Sequence, residues 1–327
     1  MSDSRVICLG EALIDCLADQ LGVPLSAVTS WTPYPGGAPA NVACALAKLG
    51  TPVRLVGCVG SDQWGEALLS LLQSRKVDCT YLQHHDQAPT RQVYVLRDQQ
   101  GSPTFAGFSQ PDPTQFADAQ LAVDRLNAAL FQDAQFLVAG TLGLAYDKTG
   151  ESIRWAVDYA QTHAIKVVID VNWRPMFWPQ PEIAPATIRQ ILPAVDFLKL
   201  SSDEADWLFD TQEPAAIAQQ LDNLQGVLIT AGAMGCRYWL AGHTDQFSAF
   251  AVDSEDATGA GDAFLAGFLH KLRQGGMAQL EDAIAAQSLI AYASAVAALT
   301  TTRPGAIAAQ PSAQEVEAFL YLQQSLA

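Results

Sequence analysis

Across 327 residues, half of them hydrophobic, the chain has enough apolar material to bury a large core without disulfides or metals. A formal net charge of −16 repels polyanions, which argues against nucleic acid or an anionic membrane surface as partner; any phosphate must be captured by local geometry. Six cysteines (Cys8, Cys16, Cys44, Cys58, Cys79, Cys236) form no Cys-x-x-Cys pair, and the chain begins without a signal-peptide pattern, so a reducing cytoplasm is the expected location.

In chain order, residues 5–10 form a short apolar run closed by Gly10, as a buried strand is. Similar runs at 53–57, 136–140, 166–170, 197–200 and 226–230 predict further strands, and helical patterns cover 41–49, 65–74, 148–162, 183–192 and 215–221. Strands alternating with helices of this length predict an α/β fold, a mostly parallel sheet covered on both faces. Around 12–18, and again over 90–108, the pattern changes to alternation, with Arg91, Val93 and Val95 before the turn Asp98-Gln99-Gln100-Gly101 and Thr104 and Phe105 after it. These segments predict a small antiparallel sheet with one wet face, suited to serve as a lid. The most apolar stretch, 283–302, is mainly alanine interrupted by Gln287, Ser288 and Ser294. Alanine adds little insertion energy, so a buried, closely packed helix is expected here rather than a membrane span. No repeat or linker divides the chain, so one domain over 1–327 is expected, with lid strands from about 12–35 and 90–109 inserted in it.

The segment Asp256-Ala257-Thr258-Gly259-Ala260-Gly261-Asp262 precedes a helical pattern in which Phe264, Phe268 and Leu272 recur at four-residue spacing. Its glycine N–H groups are free to face an anion. An aspartate at the same helix start competes with a phosphate for those donors, and such a cost suggests a role: a base that accepts the proton of an attacking hydroxyl. The alternative is that Asp262 is an N-cap and the glycines shape a turn. Earlier, Gly36-Gly37-Ala38-Pro39-Ala40-Asn41 puts two glycines before a small-residue helix ending at Gly50. Backbone can approach a polar ligand there and Asn41 can both donate and accept, or else Asn41 is a cap and the alanines permit close packing.

Together with Gly57-Cys58-Val59-Gly60-Ser61-Asp62-Gln63-Trp64-Gly65, these segments resemble the two signatures of the ribokinase-like (PfkB) sugar kinases, in the family's order and over nearly the whole chain. The resemblance implies a ribokinase-like three-layer α/β/α fold with a β-sheet lid, and transfer of the γ-phosphoryl of Mg-ATP to a hydroxymethyl group. It implies Asp262 as the base, with an anion hole at Gly259, Ala260 and Gly261. Asp15, in Gly10-Glu11-Ala12-Leu13-Ile14-Asp15, would bind sugar hydroxyls with Gly36, Gly37 and Asn41, and Phe105 would meet the sugar from the lid. On the nucleotide side it implies Lys199, Ser201 and Glu204, with serine where many members carry asparagine, then Thr230, Gly232 and Gly235, and Ser294 near the adenine. Asp256, Thr258, Arg303 and Gly305 match positions that hold a potassium ion, partly through carbonyls.

Asp170-Val171-Asn172-Trp173-Arg174 resembles the Asp-x-Asn-x-Arg segment of fructokinases and 2-keto-3-deoxygluconate kinases. Arg174 could bond the sugar or instead pair with Asp170. Ser109 stands where relatives that bind acids often carry arginine, which favours a neutral sugar and fructose first. The rival readings are ribose, a keto-deoxy acid or a nucleoside as acceptor, and a silent homologue that senses sugar. Asp147-Lys148-Thr149-Gly150 reads as a helix start, there is no P-loop motif, and His84-His85 read as an exposed turn. The edges of a lid sheet are surfaces on which a second copy could pair.

Overall fold

The computed structural model describes residues 4–99 and 103–326. The opening apolar run becomes β1 (Arg5–Leu9), and its side chains alternate between two cores: Ile7 and Leu9 enter one, Val6 and Cys8 the other. A strand buried on both faces is what a helix-covered parallel sheet requires. After it come β2 (Leu13–Leu21), β3 (Trp31–Gly36), α1 (Ala38–Leu49), β4 (Val53–Gly60), α2 (Gln63–Ser74) and β5 (Asp78–His85). The chain continues through β6 (Gln92–Arg97), β7 (Pro103–Phe108), β8 (Ala134–Gly140), α3 (Asp147–Thr162), β9 (Lys166–Asp170) and α4 (Ala184–Arg189). The remainder is β10 (Phe197–Ser201), α5 (Ser202–Phe209), α6 (Pro214–Ala218), β11 (Gly226–Thr230), β12 (Cys236–Leu240), β13 (His243–Phe247), α7 (Ala260–Gly275), α8 (Ala283–Thr301) and α9 (Ala313–Leu326).

Nine strands form the large sheet in the order β13-β12-β11-β10-β9-β8-β1-β4-β5, parallel from β11 through β5. The parallel strands therefore point their carboxyl ends to one edge, where α/β sheets bind ligands. A second sheet, β3-β2-β6-β7, pairs β2 with β3 and β6 with β7 antiparallel, while the central pair β2 and β6 runs parallel. Its strands lie in the two segments expected for a lid, except that β3 runs one residue past the first, to Gly36; Gln100 and Gly101 of the expected turn lie outside the described residues.

Several elements differ from the sequence expectation. His84 and His85 are not an exposed turn: they end strand β5 half-buried, and His85 Nδ1 accepts from the N–H groups of Gln87 and Ala88. The β12–β13 hairpin turns through Ala241 and Gly242, both at positive φ as a two-residue hairpin turn needs, but alanine hides that signal. The helix expected over 183–192 is only α4 flanked by 3-10 turns, because Pro185 starts it and Pro193 forbids continuation. Helix α8 is long and apolar enough to cross a membrane, with mean hydropathy 1.6, yet 56% of that window is buried against the rest of the fold. It packs on α7, where Gly267 lets the two backbones approach: a Cβ there would lie 2.8 Å from Val296.

Part of the first signature is architectural. Asp62 caps α2 by accepting from Trp64 and Gly65 N–H, and also accepts from the N–H and hydroxyl of Thr90, where the chain leaves for the second sheet. A side chain on Gly65 would strike the carbonyl of Gly60.

Candidate active site

At the carboxyl edge of the sheet, two helix starts meet. Gly259, at φ +77°, is the N-cap of α7 and offers no side-chain cap; Ala260 N–H donates back to Ala257 O at 3.2 Å, while the N–H groups of Gly261 and Asp262 are not capped by any side chain. Asp262 sits within that first turn and does not cap it. Instead its Oδ2 accepts from Asn41 Nδ2 at 2.8 Å. Asn41 likewise is no cap: α1 begins three residues earlier behind Gly37, and Glu11, missed in the sequence, caps α1 by accepting from Ala38 N–H at 3.1 Å. Asn41 Oδ1 is buried without a hydrogen-bond partner among the described residues, an acceptor open to a ligand.

Beneath α7 lies a buried ion pair. Lys199 Nζ, from β10, donates to Asp170 Oδ2, at the end of β9, at 2.7 Å. A Cβ on Gly261 would come 3.2 Å from that ammonium, so glycine leaves Lys199 room directly under the helix start. Lys199 thus takes the place of Arg174 as partner of Asp170. Asp170 Oδ1 has no hydrogen-bond partner among the described residues.

Burial, with the charge of Asp170 second, pushes the Asp262 carboxyl up to about 7, against the pull of Lys199, Asn41 and Arg174. Burial also raises Asp15 to about 6, opposed by Arg174, and Glu11 to about 8, where Asp118 and Asp262 add to the effect. Lys199 is held charged: although burial opposes it, Asp170 and Asp262 outweigh that penalty. Arg174 is exposed, with Nη1 on the carbonyl of Trp173 at 2.7 Å, and its charge reaches Asp15, Asp170 and Asp262. Asp15, on β2, lies against Gly36, where any side chain would collide with its Oδ2. Gly37, at φ +101°, passes so close to Glu11 that a Cβ would sit 2.5 Å from the Glu11 carbonyl. Phe105, on β7, packs half-buried on Phe108 with ring centroids 4.9 Å apart.

On the other flank, Ser201 and Glu204 form a capping box at the start of α5. The second Glu204 oxygen accepts from Trp173 N–H at 2.5 Å, so this carboxylate ties the β10–α5 turn to the loop after β9. Thr230 lies beside Ser201 in register and donates to Leu200 O at 3.3 Å; Gly232 and Gly235 follow at positive φ. Ser294 is buried on α8. Asp256 gathers the last group: one oxygen accepts from Thr258 N–H at 2.9 Å and the other from Gly305 N–H at 2.8 Å. Against the burial penalty, these bonds hold its carboxyl below the ordinary range. The Arg303 side chain turns away to pair with Glu315 at 3.2 Å, leaving only its backbone to this loop.

A carboxylate of raised proton affinity beside a helix start without a side-chain cap and an ammonium is equipped to move a phosphoryl group onto a hydroxyl. The model of the pfkB family of carbohydrate kinases matches residues 3–313, and the chain belongs to that family. It is a sugar kinase, a phosphotransferase. A probable fructokinase-2 of Arabidopsis thaliana is 32% identical over 321 residues, covering 97% of this chain and 96% of that one. Among solved structures, a fructokinase with bound ATP from Xylella fastidiosa superposes with a TM-score of 0.89 at 31% identity, covering 99% and 100% of the two chains. A double-mutant fructokinase from Vibrio cholerae O395, bound to fructose, ADP and potassium ion, has a TM-score of 0.83 at 30% identity, covering 98% and 99%.

Proposed function

We propose that this sugar kinase is an ATP-dependent fructokinase producing fructose 6-phosphate. The observation that carries the reading is Asp262: a carboxyl raised to about 7, aimed by Asn41, at an open helix start. Kinship over nearly the whole chain to plant and bacterial fructokinases supports the choice of sugar.

The sugar hydroxyl gives its proton to Asp262 as its oxygen bonds to the γ-phosphorus and the bond to the ADP oxygen breaks. The N–H groups of Gly259 and Gly261 stabilise the charge on the transferring oxygens, joined by that of Ala260 when it turns from Ala257 O, 3.2 Å away. Asp15, Arg174, Asn41 and the Gly36-Gly37 backbone hold the remaining hydroxyls, with Phe105 over the sugar from the lid. Lys199, Ser201, Thr230, Gly232, Gly235 and Ser294 face the nucleotide, while Glu204 shapes the turn that receives it. Lid closure excludes water, the competing acceptor.

The described residues contain no cluster of three or more acidic, histidine or cysteine side chains able to hold a metal, which fits Mg²⁺ carried on the ATP phosphates with its own waters. Bound there, it would neutralise phosphate charge. The Asp256 loop suits a monovalent cation, since Asp256, Thr258, Arg303 and Gly305 offer a carboxylate and carbonyls, and such an ion would add fixed positive charge near the chain entering Gly259. Free thiols at all six cysteines support a reducing cytoplasm, and the lid edge strands β3 and β7 are where a second copy would pair.

The test is ADP release against fructose, ribose, glucose, 2-keto-3-deoxygluconate and adenosine, with Asp262→Asn as control. Fastest turnover on fructose supports the proposal; preference for another acceptor replaces fructose; sugar binding without sugar-dependent ADP points to a sensor.

A further inference from the structure

We propose that Arg91 is a positioning residue for sugar binding, locking the Asp15 strand and the Arg174 loop to one another at the foot of the lid. The inference rests on the sugar-kinase reading of the site.

Arg91 is fully buried, one residue before β6. Its Nε and Nη2 bond both oxygens of Asp118 at 2.7 and 2.8 Å, and Nη2 also reaches Pro113 O at 2.9 Å. Its carbonyl accepts from Ile14 N–H at 2.9 Å, and the next residues, Gln92 and Val93, pair with Ile14 and Asp15. The guanidinium, held by Asp118 and Pro113, therefore anchors the backbone against which the Asp15 strand pairs. The guanidinium carbon lies 4.3 Å from the ring centroid of Phe116, 5.0 Å from those of Phe108 and Phe177, and 5.3 Å from that of Tyr146.

Two of those rings belong to the sugar side. Phe108 ends lid strand β7 and meets Phe177 edge-on at 5.1 Å. Phe177 closes the 3-10 turn for which Arg174 is the N-cap, its N–H donates to Arg174 O at 3.1 Å, and its carbonyl accepts from Tyr146 Oη at 2.8 Å. One residue thus links two of those assigned to the sugar hydroxyls: the Arg91 carbonyl reaches the Asp15 strand through Ile14, and its guanidinium reaches the Arg174 loop through Phe177. Well-packed apolar residues serve stability as well as a buried ion pair does. A planar, bidentate cation facing aromatic rings adds direction, which lysine cannot reproduce.

Hydrogen–deuterium exchange on the intact protein, comparing wild type with Arg91→Lys and Tyr146→Phe, tests the coupling without reference to activity. Arg91→Lys is expected to speed exchange in both 12–18 and 171–180 while leaving 226–230 unchanged; acceleration in only one of the two segments overturns the proposal. The kinetic companion is the ratio of KM values: the fructose KM rises about tenfold with Arg91→Lys and about threefold with Tyr146→Phe, while the ATP KM changes less than about twofold. A lowered Tm with an unchanged sugar KM reduces Arg91 to a structural ion pair. Should Arg91→Lys not fold, Tyr146→Phe, which keeps the ring and loses one hydrogen bond, decides by the same readouts. A wild type inactive on fructose refutes the substrate assignment, and the exchange experiment still judges Arg91.

Discussion

Asn41 Nδ2 donates to Asp262 Oδ2 at 2.8 Å, joining two helix starts 221 residues apart. The same Asn41 accepts through its carbonyl from Gln310 Nε2 at 2.9 Å, so its backbone is fixed from the far end of the chain. Asp262 is thereby aimed by a neutral donor that helps it ionise without pairing its charge away.

Removing the base should cut turnover and spare binding. Asp262→Asn is predicted to lower kcat by roughly a hundred- to ten-thousandfold with little change in the sugar dissociation constant. In the native enzyme, kcat/KM for the sugar should rise with pH as Asp262 loses its proton, with a one-proton limb near the value of about 7 in the free protein. A limb near 4, or one that survives in the Asn variant, would assign the proton elsewhere.

The same group should weigh on stability with the opposite sign. Its folded pKa is raised from 3.8 to about 7, so the unfolded chain loses the proton first and stability drains as pH rises from about 4 to 7. Asp262→Asn avoids that penalty. The apo variant should melt roughly 2–6 °C above wild type at pH 8 and level with it at pH 4, measured by calorimetry.

Asp15 and Arg174 should act on the sugar alone. Asp15→Asn and Arg174→Met are each predicted to raise the fructose KM by about ten- to a hundredfold, the worth of a charge-assisted hydrogen bond, with the ATP KM nearly constant. Equal increases in both KM values would indicate collapse of the site.

Lys199 and Asp170 should behave as a coupled pair. Lys199→Met strands a buried carboxylate and is expected to cost about 3–5 kcal/mol in denaturant unfolding; adding Asp170→Asn should return much of that loss. Lys199→Met also removes a charge that lowers Asp262, so its activity limb should move above 7. Additive losses would show that the two side chains do not share a proton balance.

Gly259→Ala should fail for two local reasons. Its backbone is left-handed at φ +77°, and the new Cβ would meet Ala306 Cβ at 2.7 Å. A loss of about 1–2 kcal/mol is expected, with a fall in kcat as the first turn of α7 shifts. An unchanged kcat would remove this turn from the anion hole.

The strand-and-helix rhythm, the glycine turns and the placing of Asp262 at a helix start were legible in the residues, because these depend on neighbours a few positions away. The edge strand ending at His84-His85 and the Ala241-Gly242 hairpin were not, since β5 buries its residues without a clean alternation and β13 is polar along its middle. Which charges meet was set by packing across the fold: Lys199 rather than Arg174 beside Asp170, Arg91 on Asp118, Glu11 on the α1 terminus, and Glu204 bridging two loops. Periodicity tells which face of an element is buried, but not which element covers it. That choice follows from strand order, which brings β9 beside β10 and sets α1 against α7, so that carboxylates distant in sequence share one desolvated space and Asp262 holds its proton near neutral pH.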